Sequence, residues 1–155
     1  MVLKLLKDLF PMLRINCSLR LKNGKIDRQE ASKLIYHAID NGVNLIDTAY
    51  LYGDSEKFLG EVLQGEYKDK VKISTKLPTI NIRKYEDMED ILDEQLNRLQ
   101  RDCIDYYLMH AVDLKALNRL FKKDLLKFIA KAKSEGKIKH VGFSYHGPKE
   151  DFPLL

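Results

Sequence analysis

A chain of 155 residues that is 45% apolar and 32% charged has the composition of a globular domain with a core, which excludes a disordered chain. Its 27 Lys and Arg are interleaved with 23 Asp and Glu, for a net charge of +4, so no nucleic-acid-binding patch is expected. Cys17 and Cys103 are too far apart in sequence to suggest a disulfide framework or a zinc site, and the expectation is a reducing, cytoplasmic compartment.

Met1 to Leu13 is rich in apolar residues, but Lys4, Lys7 and Asp8 interrupt it, and a membrane span needs roughly 18 uninterrupted apolar residues. Neither an anchor nor a signal peptide is expected. Leu3, Leu6 and Phe10 share one short amphipathic face that Pro11 ends. From Asp27 to Gly42, Ala31, Leu34, Ile35, Ala38 and Ile39 follow the spacing of one helical face, with Asp27 and Glu30 placed as a capping box. Val43 to Thr48 predicts a short strand, Tyr50 to Asp54 a loop around Gly53, and Ser55 to Leu63 a second helix.

The pattern then repeats twice. Val71 to Thr75 predicts a strand, and Met88, Ile91, Leu92, Gln95, Leu96 and Leu99 mark a long amphipathic helix. Ile104 to Met109 predicts the next strand, Leu125, Phe128, Ile129 and Ala132 a helix ending at Gly136, and Ile138 to Ser144 one more strand. Alternating strands and helices at about 30-residue intervals indicate βα units around a parallel sheet, an α/β class. Periodicity does not choose between a doubly wound sheet and a (β/α)-barrel. No Gly-x-Gly-x-x-Gly loop follows any strand, which argues against a dinucleotide-binding doubly wound domain. Eight βα units need roughly 200 to 250 residues, so a barrel would be present as about half, with four to five units.

In a parallel array all strand C-termini point the same way, and the groups they carry converge on one face. Asp47, Lys76, His110 and Ser144 stand at four successive strand ends, with Tyr52 in the loop after the first. Each alone has an ordinary explanation: an Asp caps a turn, and a Lys or Tyr reaches toward water. Together they form a constellation suited to protonating a carbonyl oxygen. A cation beside a phenol favours the phenolate, so Lys76 would assist proton donation by Tyr52, Asp47 would orient Lys76, and His110 would bond the substrate oxygen. His37, His110, His140 and His146 show no metal-ligand spacing, and no metal site is expected.

Asp47-Thr-Ala-Tyr-Leu-Tyr52-Gly, followed by Ser55-Glu-Lys-Phe-Leu-Gly60, resembles the signature of the aldo-keto reductases. Ile73-Ser-Thr-Lys76-Leu-Pro is similar to that family's lysine strand, Leu96 to His110 to its histidine strand with the preceding helix, and Gly136 to Ser144 to the next strand. The resemblance implies a TIM barrel that transfers a hydride between NADPH and an aldehyde or ketone. Carried over by position, it gives Asp47, Tyr52, Lys76 and His110 as the catalytic tetrad, and Asp47 and Ser144 as cofactor contacts. An asparagine usually follows that serine in the family, where this chain has Tyr145-His146.

The family opens with a hairpin and a glycine-containing first strand, a pattern absent from Met1 to Ser18. Residues 1–22 therefore read as an atypical N-terminal segment and residues 23–155 as an incomplete barrel domain. The resemblance is nearest to the prokaryotic branch in which an iron-sulfur segment follows the barrel. The expectation is an N-terminal fragment of an enzyme that acts on a small carbonyl substrate, weakly active or inactive by itself because half of the cofactor cleft is missing, with no nucleic-acid or membrane partner. The alternative is a non-catalytic half-barrel that assembles with another copy or a complementary C-terminal half.

Overall fold

The structure, a computed structural model, describes residues 12–14 and 27–154. One parallel sheet contains β1 (Met12–Arg14), β2 (Leu45–Asp47), β3 (Lys72–Leu77), β4 (Ile104–Val112) and β5 (Ile138–Tyr145), paired in that order. Spatial order thus equals chain order. A doubly wound sheet reverses its strand order at a switch point, so the unbroken order selects the barrel, here an arc of five strands.

Around the sheet lie α1 (Arg28–Asp40), α2 (Ser55–Val62), α3 (Tyr85–Leu99), α4 (Leu114–Phe121) and α5 (Leu125–Ser134). The Asp27 carboxylate caps α1 by accepting the Glu30 N–H at 3.1 Å. The helix buries Ala31, Ile35 and Ile39, whereas Leu34, which the spacing puts on the same face, is 50% exposed. Helix α3 starts one turn before Met88 because Asp87 accepts the N–H groups of Arg83 and Lys84 at 2.7 and 3.0 Å and closes its first turn. The core is continuous across sheet and helices, with Ile46, Phe58, Ile73, Leu92, Tyr107 and Phe128 all fully covered.

Three elements differ from the expectations. The opening segment, in which no first-strand pattern is legible, supplies β1, whose Met12, Leu13 and Arg14 pair with Leu45, Ile46 and Asp47. A three-residue strand is too short to show an alternation of its own. Helix α4 was not foreseen: Asp113 accepts the Ala116 N–H at 2.6 Å, and Ala116 and Leu120 are buried. Strand β4 runs three residues past Met109, through an irregularity between Met109 and Val112. The amphipathic face of Leu3, Leu6 and Phe10 lies outside the described residues. No helix among the described residues is long and apolar enough to cross a membrane.

Candidate active site

The site is built where β2, β3, β4 and β5 end. Asp47 is the last residue of β2 and pairs in register with Ser74 of β3, which brings Lys76 over the same end of the sheet. The Lys76 ammonium donates to both Asp47 carboxylate oxygens at 2.8 Å and to the Thr48 carbonyl at 2.6 Å, and the Ser74 hydroxyl donates to Asp47 at 2.8 Å. Both charged side chains are 3 to 4% exposed. Burial on this scale is tolerable only for a paired and hydrogen-bonded ion couple.

Tyr52 lies in the loop after β2, where Gly53 at φ +59° takes a left-handed turn that side chains disfavour. The Tyr52 N–H donates to Ala49 O at 3.0 Å, and the Ser55 N–H to Tyr52 O at 3.2 Å. The Lys76 Nζ stands 5.2 Å from the centroid of the Tyr52 ring. The His110 ring meets the same phenol edge to face, with centroids 5.7 Å apart and planes at 83°. The structure therefore gathers Asp47, Tyr52, Lys76 and His110 into one cluster.

His110 sits on the β4 irregularity. The next residue, Ala111, has φ +52°, a left-handed conformation that costs a non-glycine residue about 1–3 kcal/mol. Ser144, at the end of β5, accepts the Ala111 N–H at 2.7 Å and so steadies this bulge. Ser144 thus has a part in holding the turn next to His110 that the sequence did not suggest, and its own hydroxyl proton is unused among the described residues. His110 Nδ1 is buried and has no hydrogen-bond partner among them. Burial first, then the Lys76 ammonium and His146, pull the imidazole below its ordinary 6.5, against an opposing pull from Asp47. The ring is accordingly neutral at neutral pH.

Behind the cluster lies a polar network that sequence reasoning missed. Glu56 of α2 is wholly buried and accepts from Thr75 at 2.5 Å, from Gln95 at 2.6 Å and from Arg98 at 3.2 Å. Gln95 also donates to Lys76 O at 3.2 Å and accepts from the Tyr107 hydroxyl at 2.7 Å. Burial pushes the Glu56 carboxyl above its ordinary value, against the pull of its three donors. The available signal was Gln95, a polar residue on the apolar stripe of α3. The network fastens α2 and α3 to the strand that carries Lys76.

The comparisons with known proteins identify the family. The profile of the aldo/keto reductase family matches residues 17–150. A 6-dehydroglucose reductase of Novosphingobium aromaticivorans is 32% identical over 129 residues, covering 74% of this chain and 41% of the relative. Among solved structures, a putative aldo-keto reductase from Pseudomonas aeruginosa superposes with a TM-score of 0.72 at 29% identity, over 86% of this chain and 53% of the other. An aldo-keto reductase from Klebsiella pneumoniae in complex with NADPH gives a TM-score of 0.67 at 29% identity, over 81% and 42%. The chain spans about half the length of these relatives. With the profile covering most of its residues, the chain belongs to the aldo/keto reductase family.

Proposed function

We propose that this chain carries the proton-donating side of an oxidoreductase that interconverts a small aldehyde or ketone and its alcohol with NADP(H). The observation that carries the reading is the buried Asp47–Lys76 pair beneath the Tyr52 and His110 rings. In reduction, Tyr52 gives its phenolic proton to the carbonyl oxygen, where negative charge develops. The Lys76 ammonium stabilises the charge left on the phenol oxygen, and Asp47 holds that ammonium in place. Neutral His110 donates a hydrogen bond to the same substrate oxygen and fixes the carbonyl relative to Tyr52.

NADPH, when bound, supplies the hydride that completes the alcohol. One feature of this chain fits such a ligand: the Ser144 hydroxyl accepts the Ala111 N–H, and its own proton, unused among the described residues, suits the nicotinamide carboxamide oxygen. The Klebsiella pneumoniae relative, solved with NADPH, supports the choice of cofactor.

The test is a titration of NADPH into the purified chain, followed by nicotinamide fluorescence, with carbonyl-dependent NADPH oxidation as the activity readout. Saturable binding is expected, and in a completed enzyme Tyr52→Phe should cut turnover by roughly a hundredfold or more while leaving NADPH affinity nearly unchanged. A folded chain that binds no NADPH, or a Tyr52→Phe variant that keeps its turnover, refutes the reading.

A second reading, assembly with another copy or a complementary half, is favoured by β5. Its Lys139, His140 and Phe143 are exposed, Phe143 by 40%, and an open strand edge invites pairing. A monomer by sedimentation at working concentration would count against it.

A further inference from the structure

The loop bearing Tyr52 is tied at both ends. Thr48 O accepts from Lys76, and the Thr48 and Ser55 hydroxyls are hydrogen-bonded to each other. Between them is a third tie that the chemistry above does not use. The Tyr50 hydroxyl donates to Glu94 Oε2 at 2.8 Å, and the Arg98 guanidinium carbon stands 4.2 Å from the centroid of the Tyr50 ring. Arg98 is held in turn, with Nη2 donating to Glu94 Oε1 at 2.7 Å and Nη1 to Glu56 Oε2 at 3.2 Å.

Exposed ion pairs on a helix contribute little by themselves, largely because both side chains must be immobilised. Arg98 differs because the wholly buried Glu56 fixes its fork from behind, so placing the Tyr50 ring against it demands little further ordering. The Glu94 carboxylate, with burial, keeps the Tyr50 phenol above its ordinary titration range, so the donor stays protonated at neutral pH.

We propose that Tyr50, Arg98 and Glu94 form a clamp that sets the Tyr52 ring against His110 and Lys76, acting as positioning residues for the proton transfer. This rests on the reading of Tyr52 as the proton donor. Tyr50 is two residues from Tyr52, and the Tyr52 N–H to Ala49 O bond closes the turn between them. Movement of Tyr50 therefore carries Tyr52 with it. Displacement of a reacting group by about 1 Å costs up to about a hundredfold in rate, so the clamp acts on kcat and not on the affinity for NADPH.

The test is aromatic proton NMR of the 155-residue chain, with the Tyr52 ring signals identified by their absence from Tyr52→Phe. The parent should show a cross-peak between the Tyr52 and His110 rings. Tyr50→Ala and Arg98→Met should lose it while keeping the ring cross-peaks of Tyr36 with Tyr67 and of Tyr107 with Phe128, pairs that stand at 4.3 and 6.3 Å between centroids. Tyr50→Phe, which keeps the ring on Arg98, should recover most of the Tyr52–His110 cross-peak. A purely structural role would lower the melting temperature and leave that cross-peak intact, and an intact cross-peak in folded Tyr50→Ala overturns the clamp. Should Arg98→Met fail to fold, Tyr50→Ala, a change at a half-buried loop residue, decides the matter. Since no turnover is required, a Tyr52→Phe variant that keeps its activity would sink the catalytic reading without affecting this result.

Discussion

Gly60 lies inside α2, where glycine costs a helix roughly 1 kcal/mol relative to alanine, so helix propensity alone predicts that Gly60→Ala stabilises the chain. The packing predicts the reverse. A Cβ at Gly60 would stand 2.1 Å from Arg98 O and 2.9 Å from the Leu99 carbonyl carbon, and both are backbone atoms that no rotamer change can move. Ordinary contact begins at 3.4 Å, so α2 and α3 would have to part, loosening the seat from which Gln95 and Arg98 reach Glu56. Overpacking of a core costs about 1–3 kcal/mol, and obligatory backbone movement places this case at the upper end. After the helix-propensity gain, a net loss of about 2 kcal/mol remains. For a chain of this size that corresponds to a fall in melting temperature of about 4–8 °C. Thermal unfolding followed by circular dichroism measures the shift, and a urea titration with unchanged slope attributes it to the folded state. A Gly60→Ala chain that melts at or above the parent temperature would refute the close approach of α2 to α3.

The Asp47–Lys76 couple gives a second test: Lys76→Met strands a buried carboxylate and should cost about 3–5 kcal/mol in urea unfolding, with part recovered in the double variant Lys76→Met, Asp47→Asn. A loss no larger than that of a surface substitution would argue against the pair's burial. The pH dependence of stability offers a third. His110 is depressed below 6.5, mainly by burial, so the unfolded chain takes up that proton first as pH falls, and this contribution to stability is lost on going down from 6.5 through the folded value. Glu56 is raised above 4.5, mainly by burial, so its contribution is full below 4.5 and is lost as pH climbs through the folded value. With rising pH Glu56 thus contributes a fall in stability that begins near 4.5, and His110 a rise that ends near 6.5, two slopes of opposite sign. His110→Asn should remove the rise with pH and Glu56→Gln the fall, and a Glu56→Gln curve parallel to that of the parent would exclude a proton held by Glu56 above pH 4.5.

Elements that advertise themselves by periodicity were legible in the sequence. Ala31, Ile35 and Ile39 and the α3 stripe from Met88 to Leu99 are regular enough for the burial of one face to fix each helix. The architecture needed the strand order, because periodicity is identical in a barrel and in a doubly wound sheet. Strand β1 and helix α4 escaped for opposite reasons. The three residues of β1 are defined by their pairing with β2 and not by any pattern of their own. Helix α4 did carry a local sign, Asp113 ahead of Leu114, Leu117 and Leu120, a capping residue followed by apolar positions three apart.

The same division runs through the site. Asp47, Lys76, His110 and Ser144 were legible because parallel strands deliver their C-terminal residues to one face whatever the details of packing. The parts that hold them were not, since they depend on distances between elements. Ser144 bonds Ala111 only because β4 bulges beside β5, and Glu56 meets Gln95 and Arg98 only because Gly60 lets α2 lie against α3. A buried carboxylate costs several kcal/mol unless donors surround it, so Glu56 can stay in the core only while α2, α3 and β3 hold one relative placement. That placement also positions the carbonyl of Lys76 and the guanidinium of Arg98. Glu56 therefore links the glycine of the helix seam to the lysine of the site, and a change at either should be felt at the other.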